Sequence, residues 1–297
     1  MGGGSWCKDE FKAYSKSVGR TVNDIGEVTT SYAHAQDMFK SRKIDEALNP
    51  KNVVRECCDT EEHPNTIPVI LALDVTGSMG SAAMKVAKKL NIVITELYEK
   101  VNDVEFLVMG IGDLAYDRAP IQASQFESDI RIAEQLDKVY FEGGGGGNAF
   151  ESYTAAWYFG LKHTKLDCWK RGKKGIIITM GDEPLNPYLP CEPLRRVTGD
   201  SLQADVQTAD LYKEVTEKYE LYHLMVDDFD TCLRRYEHDV VKTFGKYLNG
   251  QRLIKVTLDS LAKTIVDIVS GANASNTAMD GVITDTEEHI ANDGISW

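Results

Sequence analysis

At 297 residues, with 42% hydrophobic and 27% charged side chains, the chain is long enough for a sizeable core and has the composition of ordinary globular proteins. Its 46 Asp plus Glu against 33 Lys plus Arg leave a formal charge of −13, which repels phosphate backbones and excludes the nucleic-acid binders while suiting capture of a cation. No apolar run reaches the roughly eighteen residues of a membrane span, and Met1-Gly2-Gly3-Gly4-Ser5-Trp6 has neither the basic end nor the apolar stretch of a signal peptide, so no membrane partner is expected.

Residues 1–64 are polar and without sustained period. A short helix is expected to begin at about Tyr32 and run toward Phe39, and Asn49-Pro50 and His63-Pro64 mark turns, so the segment reads as an extension packed on the domain after it. From Ile67 the pattern changes. The near-continuous apolar run Ile67-Pro68-Val69-Ile70-Leu71-Ala72-Leu73 predicts a parallel strand covered on both faces, ending at Asp74. Ala83, Val86, Ala87, Leu90, Val93, Ile94 and Leu97 then recur at spacings of three and four, which predicts a helix over 81–100. A strand over 104–111 ends at Gly112-Asp113; a short edge strand over 121–123 and a helix over 127–139 come next. The glycine run 143–147 leads into a helix expected over 148–163, on which Trp157, Tyr158 and Phe159 read as core. A third core strand, 176–180, ends at Gly181-Asp182. Helices over 208–219, 231–247 and 260–270 alternate with strands over 221–226 and 253–256, and the last residues read as a polar tail.

Alternation of this kind predicts an α/β fold: a doubly wound, mostly parallel central sheet with helices on both faces. The expected organisation is an extension over 1–64, one domain over 65–272 and a tail over 273–297. In such sheets ligands bind at the carboxyl ends of strands, and here Asp74, Asp113 and Asp182 each stand at or just past a strand end. The six cysteines, scattered from Cys7 to Cys232, read as free thiols in a reducing cytosol, so a cytoplasmic location is expected. The six histidines show no ligand spacing. Asp113 and Asp117 read equally well as rim residues and as turn caps.

Asp74-Val75-Thr76-Gly77-Ser78 offers one carboxylate and two hydroxyls on alternate residues, an oxygen-only set suited to Mg²⁺ first and to Mn²⁺ or Ca²⁺ after it. The run resembles the metal-ion-dependent adhesion site (D-x-S-x-S) of von Willebrand factor A (VWA) domains, with Thr76 in place of the first Ser. The glycine run followed by Asn148-Ala149-Phe150-Glu151-Ser152 is similar to that family's third loop, with Gly or Asn148 where the family has Thr. Asp182 resembles its last carboxylate, although the motif reads Gly181-Asp182-Glu183. The segment from Gly112-Asp113 through Gln122 and Phe126 is similar to the variant in alpha-kinase-associated A domains and their bacterial relatives, which suggests a bacterial or phage source. The likeness spans about 65–270. It implies a Rossmann-like VWA fold and metal ligands Asp74, Thr76, Ser78 and Asp182, with Asn148, a carbonyl or water completing the set. It further implies a non-catalytic adaptor whose metal takes a carboxylate from a protein partner, such as an AAA-type ATPase or a kinase-like protein.

Two other readings compete. The same run resembles the D-x-T-G-T motif of haloacid-dehalogenase-like phosphotransferases, which would make Asp74 a phosphorylated nucleophile with Mg²⁺ as cofactor and draw in Lys173 or Lys174, Asp182 and Asn186. Against it, a helix starting near Ser81 leaves no room for the flap such enzymes insert, and the later motif lacks its second Asp. The glycine run is not followed by Gly-Lys-Ser/Thr, so no P-loop is expected.

Overall fold

The computed structural model describes residues 4–32, 38, 41–142 and 150–287. In chain order the elements are α1 (Lys8–Ser17), β1 (Arg55–Cys57), β2 (Ile67–Asp74), α2 (Gly80–Tyr98), β3 (Val104–Ile111), β4 (Ile121–Ala123), α3 (Arg131–Leu136), α4 (Thr154–Lys162), β5 (Thr164–Leu166), β6 (Gly175–Gly181) and β7 (Tyr188–Leu189). They continue with α5 (Cys191–Thr198), β8 (Val206–Gln207), α6 (Thr208–Val215), β9 (Tyr219–Val226), α7 (Leu233–Phe244), β10 (Leu253–Val256) and α8 (Leu258–Glu287).

The main sheet has the order β10-β9-β6-β2-β3-β4. Every pair in it is parallel except the edge pair β3–β4, in which Met109, Gly110 and Ile111 face Ala123, Gln122 and Ile121. The fold is the expected one, an α/β doubly wound sheet. The apolar run of β2 makes it the centre, because from Pro68 to Asp74 every residue is buried. Val69, Leu71 and Leu73 face a core built with Val86, Leu90 and Val93 of α2 and Leu261, Ile265 and Val269 of α8. Ile70 and Ala72 point the other way, into Trp157 and Phe159 of α4, Leu211 of α6 and Phe244 of α7. The period-two alternation of the strand thus feeds two helical layers, and the aromatic run on α4 is core as expected.

Helix ends shift where the chain has other hydrogen-bonding work. The helix expected from 148 starts only at Thr154, because Glu151 is bridged to Leu185 and the Thr154 amide is taken by Asn186 Oδ1 at 3.1 Å. The last helix runs from Leu258 to Glu287, into the segment read as tail, since its two glycines cost only about 1 kcal/mol each and no proline stops it. The helix expected over Tyr32 to Phe39 lies mostly outside the described residues. Within the extension, α1 escaped the sequence reading because only Phe11 and Ser15 of it are buried. Trp6 Nε1 donates to Thr95 Oγ1 on α2 at 2.9 Å, and Arg20 pairs with Asp137 at 2.8 Å. All six cysteines are free thiols.

Candidate functional site

The chain leaves β2 toward β3 and β4 on one side and later returns to β6 on the other, so the strand order reverses beside β2. A crevice opens at such a point past the strand ends. Two carboxylates meet there. Asp74 is the last residue of β2, and the register Leu73↔Met180 puts Asp182, one residue beyond β6, next to it. Both are fully buried.

The predicted residues Asp74, Thr76, Ser78 and Asp182 form one continuous hydrogen-bonded chain. Asp74 Oδ1 accepts from the Thr76 amide (2.9 Å) and hydroxyl (2.6 Å), Thr76 Oγ1 lies 3.1 Å from Ser78 Oγ, and Ser78 Oγ donates to Asp182 Oδ1 at 3.0 Å. The far oxygen of Asp182 accepts from the Cys232 amide at 2.6 Å, which ties the loop after β9 to the same point. Asn148 and the glycine run 143–147 lie outside the described residues.

Two residues that the sequence reading did not single out belong to the site. Tyr153, buried just before α4, donates its hydroxyl to Asp74 Oδ2 at 2.7 Å and accepts from the amides of Asp182 (3.2 Å) and Glu183 (3.3 Å). It thereby fixes both carboxylate-bearing strand ends at one atom. The approach requires a glycine at 181, since a Cβ there would lie 2.0 Å from the Tyr153 hydroxyl. Glu151 is 4% exposed, and its Oε2 has no hydrogen-bond partner. The available signal was its position four residues after the last glycine of the run, just before α4.

Asp113 and Asp117 shape the rim. Asp113 Oδ1 accepts from the Ala115 amide at 2.7 Å, and Asp117 Oδ2 accepts from the Asp113 amide at 2.7 Å, so both hold the turn after β3. Asp113 Oδ2 is buried and unpartnered, and the adjacent Leu114 amide donates to Ser152 Oγ at 3.0 Å.

The electrostatics are set by burial without a counter-charge. Desolvation, then the neighbouring Asp182, pushes the Asp74 carboxyl above its usual range, and the bonds from Thr76 and Tyr153 oppose this only in part. Burial likewise raises Asp182. Glu151 is raised by burial and by Asp74 and Glu183. Glu183 is pushed up to about 7 by burial and Asp182, and Asp117 to about 6 by burial. No Lys or Arg side chain pairs with these carboxylates among the described residues; the nearby Lys85 is engaged by Asp228 at 2.8 Å and Asp230 at 3.2 Å. A buried acidic cluster without a cation is unfavourable, and a bound divalent ion reverses that balance.

The donor set fits a small hard cation. It comprises carboxylates and hydroxyls only, and two buried carboxylate oxygens, on Asp113 and Glu151, have spare acceptor capacity. Among the described residues no group of three or more His, Cys, Asp or Glu side chains is placed to hold a metal by itself, so an ion here needs the Thr76 and Ser78 hydroxyls.

Of the residues drawn in by the phosphotransferase reading, Asp182 meets Asp74 but Lys174 and Asn186 are engaged elsewhere. Lys174 precedes β6, at the opposite end of the strand from Asp182, and its ammonium donates to Thr216 O at 2.7 Å. Asn186 is buried against Thr154 and donates to Tyr188 O at 3.0 Å. Helix α2 starts at Gly80, directly after the Asp74–Ser78 turn, so no flap is inserted there.

Neither a family model nor a curated protein matches the sequence. Among solved structures the chain is similar to the pilus adhesin SpaC of Lactobacillus rhamnosus GG in its open conformation, at 14% identity and a TM-score of 0.49, over 75% of this chain and 31% of the adhesin. It thus spans about a third of that protein. It is also similar to the vWF domain of the type V pili tip protein Mfa5 from Porphyromonas gingivalis (11% identity, TM-score 0.41, 71% of this chain and 96% of that one). A third likeness is to proximal thread matrix protein 1 of the mussel byssus (11% identity, TM-score 0.44, 73% and 49%).

Proposed function

We propose that this chain is a protein-interaction module that takes up a divalent cation, Mg²⁺ by preference, at the tip of its sheet and uses it to bind an acidic side chain of a partner protein. The observation that carries the reading is the unbroken chain Asp74–Thr76–Ser78–Asp182, in which Asp74, Thr76 and Asp182 are buried, Ser78 is half-buried, and no basic residue among the described residues pairs with either carboxylate. Those four side chains would hold the ion, with Glu151 close by. The ion would supply a positive, oxygen-seeking charge to a face that otherwise repels carboxylates.

The rim supports a binding role. Three exposed aromatic side chains stand on the segments that follow the core strands: Tyr116 after β3 (58% exposed), Tyr188 on β7 after β6 (40%) and Phe229 after β9 (88%). Exposed aromatics around one point mark a contact surface, since tyrosine and phenylalanine bring large apolar area at little entropic cost. Phosphoryl transfer is the poorer reading, because Lys174 and Asn186 are committed elsewhere and both oxygens of Asp74 accept hydrogen bonds already. A cytoplasmic location is part of the proposal and is supported by six scattered cysteines, all free thiols.

Thermal unfolding tests it. An ion that binds the native state alone stabilises by about 2.7 kcal/mol at a hundred times its dissociation constant. The wild-type midpoint should climb with Mg²⁺ or Mn²⁺ and fall back in EDTA, whereas Asp74→Ala should not respond. Equal behaviour of the two proteins would reduce the motif to a turn.

A further inference from the structure

A groove of about 410 Å³ runs beside the tip, between the 184–187 loop and the C-terminal part of α7. It shares a wall with the acidic cluster: the Glu151 amide donates to Pro184 O at 3.3 Å, and the Leu185 amide donates to Thr243 Oγ1 on α7 at 3.0 Å. Its apolar surface comes from Leu185, Pro187 and Tyr247. Its far side carries Lys242 and Lys246, both exposed and neither engaged in an ion pair or hydrogen bond among the described residues. Asp239 is the one acidic side chain lining it, and its carboxylate is turned to His238 at 3.4 Å.

Lys242 and Lys246 place two unpaired positive charges side by side on a chain whose formal charge is −13. Tyr188 (40% exposed) and Val241 (46% exposed) stand next in sequence to the lining residues Pro187 and Lys242. We propose that this groove docks an extended acidic segment of a partner protein. One carboxylate goes to the cation at the tip, an apolar side chain lies over Leu185, Pro187 and Tyr247, and a second carboxylate meets Lys242 and Lys246. The proposal rests on the cation reading for its first contact and on charge complementarity with the lysines for its last. An extended segment meets all three contacts when the two carboxylates and the apolar side chain between them stand at alternate positions, because residues i, i+2 and i+4 point to one face.

The test is an array of short fluorescein-labelled peptides made of Glu, Leu and Gly in varied order, with a matching array in which Lys replaces Glu. Each is titrated with the full chain in Mg²⁺ and in EDTA. The expected result is saturable binding of peptides with Glu on both sides of Leu, weaker binding of the Glu/Gly set and none of the Lys set. Lys242→Glu combined with Lys246→Glu should weaken that binding about tenfold or more while leaving the Mg²⁺-dependent rise in unfolding midpoint as in the wild type. Failure of every acidic peptide to bind, an affinity indifferent to the charge reversal, or displacement by inorganic phosphate as effective as by unlabelled peptide would overturn the docking groove. The cation reading fails separately: lysine-dependent binding that is the same in Mg²⁺ and EDTA, with no midpoint response, would sink the metal contact and keep the groove.

Discussion

Asp200, beside the C-terminal end of α4, and Asp74, at the end of β2, are the same side chain in opposite company. Burial raises Asp200, but hydrogen bonds from Tyr158 (2.5 Å) and His163 Nε2 (2.8 Å) outweigh it and hold the carboxyl below its usual range. Asp129 is similar, with the guanidinium of Arg131 bound at 2.8 Å through both Nε and Nη2, and it too ends below the ordinary value. At the tip the donors are neutral hydroxyls and amides, burial is complete, and a second carboxylate faces the first. The chain supplies positive or ionisable partners on its flanks and withholds them at the switch point of the sheet. On the proposed reading, buried carboxylates without a basic side chain among the described residues take their counter-charge from a bound cation.

The largest expected effect comes from a third kind of buried group, one that no cation can rescue. His223 is fully buried on β9, bonded through Nδ1 to Thr179 Oγ1 at 2.8 Å and stacked on Phe244, with Nε2 unpartnered. Desolvation lowers its pKa to about 3. The unfolded chain therefore binds the extra proton first as acid is added. The stability that His223 contributes is whole above about pH 6.5 and is lost as pH falls from there toward 3. That loss is on the order of 4 kcal/mol. Urea midpoints across this range should fall for the wild type and fall less for His223→Phe, with Mg²⁺ leaving the difference between them unchanged. Parallel curves would mean that the imidazole is hydrated in solution.

Next in size is the Tyr153–Gly181 contact. Gly181→Ala drives a methyl into the Tyr153 hydroxyl and should cost about 1–3 kcal/mol in urea unfolding. Tyr153→Phe should cost about 1–3 kcal/mol, because Asp74 Oδ2 loses its donor and two amides lose an acceptor. Since the two changes act on the same atom, the double variant should lose clearly less than the sum of the singles. Strict additivity would show that Tyr153 does not hold the two strand ends together.

The smallest effects differ in sign. Asp200→Asn weakens a partly exposed pair and should cost up to about 1 kcal/mol. Asp74→Asn in EDTA should be neutral or stabilising by up to about 1 kcal/mol, because it removes a buried acid that lacks a counter-charge. A clear destabilisation by Asp74→Asn without metal would place Asp74 with the structural carboxylates and erase the contrast.

Much of this was legible in the sequence. The core strands β2, β3 and β6 are apolar runs too continuous for one-sided burial, and an Asp closing each run marks the ligand end. Asp74, Thr76, Ser78 and Asp182, the set that the family resemblance implied, are joined by hydrogen bonds at that end. What escaped is physically of two kinds. Short pairings such as β1 with β5 and β7 with β8 are two or three residues long and leave no periodicity to read. Tyr153 and Glu151 lie in a segment whose composition suits a helix, and the contacts that delay the helix, the bridge of Glu151 to Leu185 and the hold of Asn186 on the Thr154 amide, come from residues far along the chain. The groove beside the tip was equally hidden, since Leu185 and Lys242 lie far apart in sequence and are brought together by the Leu185–Thr243 hydrogen bond.

The most direct test of the cation site is Mn²⁺ binding followed by electron paramagnetic resonance, in which the free ion gives signal and the bound ion does not. The wild type should remove one Mn²⁺ per chain from solution, Mg²⁺ should displace it, and Asp74→Ala and Asp182→Ala should each abolish the uptake. Retention of the full free-ion signal by the wild type, or equal uptake by all three proteins, would contradict the assignment of the metal to the Asp74–Asp182 tip.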